Sequence, residues 1–303
     1  MSLKGRDFLT LKELSAEEVH LILARAADMK GRQAGDGILA GRLVALLFSK
    51  PSTRTRVSFE AGVRQLGGST IFLDQESVQV GRGETLADTG RVLSLYTDAL
   101  VVRTYRQSDL DELAGAASVP VINALTDDYH PCQILADLLT FREIWGSLAG
   151  LRLAYVGDGN NVANTLVVGC AITGIELRLA CPRGYEVAEE RLMEARSRWS
   201  AKIAATVDPL EAVEGADAIY TDTWASMGQE DEREARLRIF RPYQVNAELL
   251  RAADRSAKVF HCLPAHRGEE ISAEVMDGPQ SAVWQQAENR LHAQKGLLSL
   301  LMP

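Results

Sequence analysis

Residues 48–60 read Phe-Ser-Lys-Pro-Ser-Thr-Arg-Thr-Arg-Val-Ser-Phe-Glu, a run crowded with groups that can hold an anion. The apolar residues 42–48 predict a buried strand, and a helix is expected over 52–66. The first N–H groups of a helix have no acceptor within it and carry partial positive charge, so such a junction suits a phosphate. Ser52, Thr53 and Thr55 add hydroxyl donors there, and Arg54 adds a forked guanidinium. A plainly capped helix would explain the Ser-Thr pair alone. Arg54 and Arg56 in the same turn favour an anion site.

Other chemical residues stand more isolated. Arg103 closes the apolar run 99–102, and His130 precedes Pro131 at the start of a helix expected over 130–145. Asp222 follows the short run 218–220, and α/β sheets keep their ligand crevices at such strand ends. Cys262 follows the run 258–260. Taken singly, each has a plainer explanation: a surface arginine, a turn histidine, a strand-end carboxylate, a small buried thiol. Gly157-Asp158-Gly159-Asn160-Asn161 leaves a strand and opens a helix, as dinucleotide sites do. The third glycine of that fingerprint is replaced by Val162, so no dinucleotide function is expected.

The elements that must position these residues alternate along the chain. Strands are expected at 42–48, 69–73, 99–102 and 119–125, with helices over 52–66, 85–96 and 130–145. Residues 146–150 read as a connection. Further strands follow at 151–156, 176–180, 203–207, 218–220 and 258–260, with a helix over 160–171 and a terminal amphipathic helix over 285–301. Residues 228–244 are charged and weakly patterned, and predict a loop leading into a helix. This order predicts an α/β fold of two domains, each a mainly parallel sheet flanked by helices, with the first domain ending at residue 145.

Bulk properties exclude several classes. With 303 residues, 46% hydrophobic and 24% charged, the chain suits two globular domains. Its formal charge of −8 gives no global attraction for nucleic acid or an anionic membrane, so any bound anion must be held by local arginines. No apolar run is long enough to span a bilayer, and residues 1–7 lack the apolar core of a signal peptide. Cys132, Cys170, Cys181 and Cys262 form no Cys-x-x-Cys pair, which predicts neither a disulfide framework nor a zinc site. A reduced, cytoplasmic protein is expected, with no metal and no cofactor.

Ser52-Thr53-Arg54-Thr55-Arg56 followed by Ser58-Phe59-Glu60 resembles the carbamoyl phosphate signature of the aspartate and ornithine carbamoyltransferases. The resemblance covers nearly the whole chain. His130-Pro131-Cys132-Gln133 is similar to the family's His-Pro-x-Gln helix start, and Arg103 stands where the family has a strand-end arginine. The resemblance implies that Ser52, Thr53, Arg54 and Arg103 hold the phosphate. Thr55, Arg103 and His130 would stabilise the negative oxygen of a tetrahedral intermediate. Gln133 would take the carbamoyl NH₂ on its side-chain oxygen. Gln79 matches a glutamine that a neighbouring subunit supplies in this family, which implies a homotrimer with shared sites. Arg290 matches an arginine that reaches carbamoyl phosphate, so residues 286–303 are expected to return to the first domain.

Residues 146–285 would then bind the second substrate. Asn161 stands where the ornithine branch of the family contacts the amino acid. Asp222-Thr223-Trp224-Ala225-Ser226-Met227-Gly228 resembles that branch's mobile Ser-Met-Gly loop. Asp222 would pair with a substrate ammonium, while Ser226 and the Met227 backbone would fold over it. His261-Cys262-Leu263-Pro264 discriminates further, because the aspartate branch has His-Pro-Leu-Pro there. Cys262 therefore implies L-ornithine as the acceptor, with Leu263 among the residues that bind it and with L-citrulline and phosphate as products; the resemblance implies a place in arginine biosynthesis. Cys262 would orient the reacting amine or assist its deprotonation together with Asp222. Carbamoyl transfer to a related amine such as putrescine or acetylornithine is the alternative, although the intact Ser-Met-Gly sequence disfavours it. A dinucleotide-dependent oxidoreductase and a non-catalytic relative are less consistent with these residues.

Overall fold

The computed structural model describes residues 2–31, 37–74, 83–225 and 232–302. The chain divides into two compact units, one of residues 1–139 with 289–303 and the other of residues 140–288.

In the first unit, Ser15 caps helix α1 (Ala16–Lys30), and Glu18 completes a reciprocal capping box. Strand β1 (Leu43–Phe48) follows, then α2 (Thr53–Gln65), β2 (Ser69–Asp74), α3 (Leu86–Tyr96), β3 (Ala99–Arg103), α4 (Gln107–Ala116), β4 (Val121–Leu125) and α5 (Pro131–Trp145). All four strands are parallel, in the order β2-β1-β3-β4. β1, β3 and β4 are near-continuous apolar runs because both faces of a parallel sheet are covered. β2 lies at the edge, and its burial alternates with exposure.

The second unit holds β5 (Arg152–Val156), α6 (Asn161–Thr173), β6 (Glu176–Ala180), α7 (Glu189–Trp199), β7 (Ile203–Thr206), α8 (Pro209–Val213), β8 (Ala218–Thr221), α9 (Arg233–Phe240), α10 (Ala247–Ala252), β9 (Lys258–His261) and α11 (Ala273–Met276). Its five parallel strands run β7-β6-β5-β8-β9. Helix α6 is buried from Val162 to Thr173, which explains its lack of charged residues. The predicted α/β class with two parallel sheets is what the chain adopts.

The last helix, α12 (Val283–Leu301), begins two residues before the expected start. From Asn289 onward it belongs to the first unit. It is not the amphipathic helix expected: Asn289, Arg290, Gln294, Lys295 and Ser299 are buried along with its apolar positions. Gly296 explains how closely it packs, since a Cβ there would lie 2.8 Å from the Ala26 backbone nitrogen of α1.

Both sheets reverse their winding once. In the first unit the reversal falls between β1 and β3, and in the second between β5 and β8. The crevice beyond the strand ends at such a reversal is where open α/β sheets take ligands.

Candidate active site

At the first reversal, the end of β1 is tied to β3 by the Ser49 N–H, which donates to the Arg103 carbonyl at 2.8 Å. The chain then turns into α2 through Ser52, whose Oγ accepts the Thr55 N–H at 3.3 Å. Ser52 thus acts as the helix cap, and Thr53 and Arg54 lie exposed on the first turn. Thr55 is buried. Its Oγ1 accepts from Arg290 Nη2 at 3.1 Å, and Arg290 Nη1 donates to Gln133 Oε1 at 2.7 Å. One guanidinium from α12 therefore joins the starts of α2 and α5. Asp137, one turn beyond Gln133, accepts from Gln133 Nε2 at 2.8 Å, so the amide oxygen faces Arg290.

Around these bonds the field is strongly positive. Burial, then Arg290 and Arg54, draw the Arg103 guanidinium down to about 10, which leaves it a cation at neutral pH. Burial, then Arg290, Arg103 and Arg54, hold the His130 imidazole well below its ordinary range, so it is neutral and can donate a single N–H. Among the described residues, no carboxylate lies within ion-pair distance of Arg54 or Arg103, and Arg103 Nε has no hydrogen-bond partner. Unpaired buried charge is costly. A dianionic phosphate would relieve that cost. Lys50, absent from the sequence expectations, is buried here as well. It differs from the arginines in having a counterion, Asp127, and in lying 4.1 Å from the Tyr105 ring centroid. Its place in the Ser-Thr-Arg run was the available signal.

At the second reversal a carboxylate takes the central place. Asp222 follows β8 and is buried. Its Oδ1 accepts from the Cys262 thiol at 2.9 Å and from the Thr223 N–H at 2.8 Å, and its Oδ2 accepts from Asn160 Nδ2 at 2.7 Å. Asn160 caps α6 with its own oxygen, accepting the N–H groups of Val162 and Ala163. The start of α6 is therefore capped by a side chain of its own. Gly159 is glycine for packing: a Cβ would lie 2.5 Å from the backbone of Glu186 and Val187. Asn161 opens α6 beside this cap, and Leu263 has a left-handed backbone at φ 63 before a cis bond to Pro264.

Several groups here were not anticipated. Asp158 pairs with the buried Arg236 of α9; burial raises its carboxyl to about 6 despite Arg236, with Asp222 adding to the rise. His261 and Glu270 are fully buried and bonded at 3.1 Å. Their nine-residue separation across a loop has no periodicity to reveal it. Asp137, four residues beyond Gln133 on a helix, could have been found from that spacing.

Gln79, Ser226 and Met227 lie outside the described residues. Cys132 is buried, and burial pushes its thiol up to about 12, so it is inert. Two groups of described residues have metal-ligand atoms within 4.8 Å of one another: Asp222, His261 and Cys262, and His266, Glu269 and Glu270. In the first, every such atom already has a protein hydrogen-bond partner.

Residues 6–143 match the family model of the aspartate/ornithine carbamoyltransferase carbamoyl-P binding domain, and residues 149–301 match that of the Asp/Orn binding domain. The chain is 53% identical over 304 residues to an ornithine carbamoyltransferase of Bacillus subtilis, covering 99% of this chain and 95% of that one. It is 55% identical to one of Synechococcus elongatus, covering 100% and 99%. The solved ornithine carbamoyltransferase of Pyrococcus furiosus superposes with a TM-score of 0.96 at 48% identity, covering 100% of this chain and 98% of that one.

Proposed function

The chain belongs to the aspartate/ornithine carbamoyltransferase family, and from that premise we propose how its residues divide the reaction. It transfers the carbamoyl group of carbamoyl phosphate to the side-chain amine of L-ornithine, giving L-citrulline and phosphate, a step of arginine biosynthesis. The observation that carries the division of roles is Arg290, which bonds Thr55 and Gln133 and whose charge is felt by Arg103 and His130.

Ser52, Thr53, Arg54, Arg103 and Arg290 take the phosphate, and Gln133 receives the carbamoyl NH₂ on its amide oxygen. As the amine attacks, the carbonyl oxygen gains charge, which Thr55, Arg103 and the N–H of neutral His130 stabilise. The bond from carbon to the phosphate oxygen then breaks, and the phosphate leaves into the guanidinium cluster. Ornithine's side-chain amine has an ordinary pKa near ~10.4, so a proton must be lost before or during attack. Asp222, with Cys262 bonded to it, takes that proton; Asn161, Ser226, Met227 and Leu263 hold the rest of the amino acid. Residues 1–145 form the carbamoyl phosphate domain, residues 146–285 the ornithine domain, and residues 286–303 the returning helix.

The working form is a homotrimer in which a neighbour's Gln79 completes each site. Leu95 and Tyr96 are 78% and 70% exposed on α3, and Val57 and Ile71 are exposed on α2 and the edge strand β2, so apolar surface is available for such contacts. The cytoplasm is the assigned compartment. All four cysteines are free thiols, as suits reducing conditions, and no described helix is long and apolar enough to cross a membrane. A colorimetric ureido assay with ornithine, putrescine and acetylornithine tests the assignment, with Arg54→Ala as control. Ornithine alone is expected to give product, and product from either other amine at a comparable rate would refute the reading. Sedimentation equilibrium tests the trimer.

A further inference from the structure

His261, at the end of β9, is locked on three sides. Its backbone N–H donates to Gln286 Oε1 at 2.9 Å. Its ring Nδ1 accepts the Leu263 N–H at 2.9 Å, which requires Nδ1 to be unprotonated. The ring proton is therefore on Nε2, 3.1 Å from Glu270 Oε1, and both side chains are fully buried. Glu270 Oε1 also accepts the His266 N–H at 2.5 Å. Burial alone would raise the Glu270 carboxyl, but the bonds from His261 and His266 outweigh it and hold the group below its ordinary value, as a carboxylate. A carboxylate can only accept, so it leaves the imidazole a single tautomer.

That tautomer shapes the next two residues. The bond from the Leu263 N–H back to the His261 ring closes a tight turn with Cys262 at its apex and Leu263 at φ 63, a region a branched side chain seldom occupies. The turn sets the Cys262 thiol 2.9 Å from Asp222 Oδ1. With the proton on Nδ1 instead, two donors would face each other and the turn would open.

We infer that Glu270 is a positioning residue for the amine site: it fixes the His261 tautomer, which fixes the turn that seats Cys262 on Asp222. The inference rests on the assignment of Asp222 and Cys262 to the ornithine site. Glu270→Met removes the acceptor at similar length. The ornithine KM is expected to rise at least roughly ten-fold, because the ring loses the buried carboxylate that holds its proton on Nε2, while carbamoyl phosphate affinity by calorimetry stays within about two-fold, since its ligands lie in the other unit. Nitrogen NMR of the ring is expected to change from pure Nε2–H to a tautomer mixture. Adding His261→Asn to Glu270→Met is expected to restore the ornithine KM to within about three-fold, because asparagine accepts the N–H two residues on without a tautomer to select.

Unchanged ornithine KM in Glu270→Met, affinities for both substrates falling in step, or no rescue by asparagine would each overturn the inference. Where Glu270→Met does not fold, Glu270→Gln serves. Its amide can meet either tautomer, so a mixture and a smaller rise are expected; a pure Nε2–H ring with a raised KM would overturn the inference. Failure of the parent enzyme to make citrulline would instead overturn the site assignment itself. The ring spectrum needs no turnover and separates the two cases.

Discussion

The two parallel sheets reverse winding at comparable places, between β1 and β3 in one unit and between β5 and β8 in the other, but they arm those crevices with opposite charge. In the first, His130 is kept neutral by burial and by the charges of Arg290, Arg103 and Arg54. In the second, Asp222 sits amid donors that use both of its oxygens, with Asp158 close enough to feel its charge. One architecture thus serves an anionic leaving group and a cationic amino acid. The chemistry is set by the few residues just past the strand ends, while the strands themselves are mostly apolar in both units.

If the charges divide the substrates in this way, each crevice can be emptied separately. The largest effect is expected from Arg103→Ala, which on the proposed assignment removes a donor to both the developing oxyanion and the phosphate. The rate constant kcat is expected to fall by roughly 10²–10³, with phosphate binding greatly weakened in calorimetry. Asp222→Asn comes next. Losing the carboxylate partner of an ammonium costs on the order of 2–3 kcal/mol, or about a hundred-fold in kcat/KM for ornithine. Carbamoyl phosphate affinity is expected to remain at the parent's value. A variant that damaged both affinities equally would show that the two crevices are not chemically separate.

Acid separates them by sign. His130 titrates well below its unfolded value near 6.5, so the unfolded chain binds more protons than the native one as the pH drops below that value. Its contribution to stability is present above about 6.5 and is lost on acidification, by up to ~1.4 kcal/mol for each pH unit. Asp158 runs the other way. Its folded pKa is raised from 3.8 to about 6, so its contribution is complete below 3.8 and disappears as the pH climbs through 6. That rise is equivalent to about 3 kcal/mol at most. Chemical melts between pH 4 and 7.5 are expected to show a shallower acid decline for His130→Gln than for the parent. The parent is expected to gain stability over Asp158→Asn as the pH is lowered from 6 toward 4. Parallel curves for all three proteins would contradict both assignments.

The contrast also shows what could be read from residues alone. The strands with covered faces were legible because both-sided burial demands near-continuous apolar runs, as at residues 43–48. The anion crevice was legible because its groups are consecutive: Ser52 to Arg56 need nothing but a helix start to converge. Helix α1 went unpredicted although its Ser15 and Glu18 are spaced as a capping box, a signal available in the sequence. The carboxylate crevice was legible in part. Asp222 and Cys262 were picked out, but Asn160 was passed over for its neighbour, although its own side chain bonds Asp222. The His261–Glu270 lock and the Asp158–Arg236 pair join residues that no periodicity links, 9 and 78 positions apart. The buried polar face of α12 was misread because its polar residues are buried against other helices, where Arg290 bonds Gln133 and Thr55.

The smallest expected effect concerns Asp127, the counterion of Lys50 beside the cationic crevice. Asp127 is half exposed and pairs with the buried Lys50, and its charge also lifts Arg103 against the pull of its arginine neighbours. A pair with one exposed member contributes about 1 kcal/mol or less, so Asp127→Asn is expected to leave the fold intact. It removes a negative charge from a site meant for a dianion. Phosphate is therefore expected to bind about two- to three-fold more tightly in calorimetry, an effect within that same limit, and the gain is expected to shrink as salt is raised. The Arg103 and Asp222 substitutions weaken binding, so the direction is the informative part. If phosphate binds more weakly in Asp127→Asn, then Asp127 acts by holding the Lys50 ammonium in place rather than by draining the field, and Lys50 joins the arginines as a phosphate ligand.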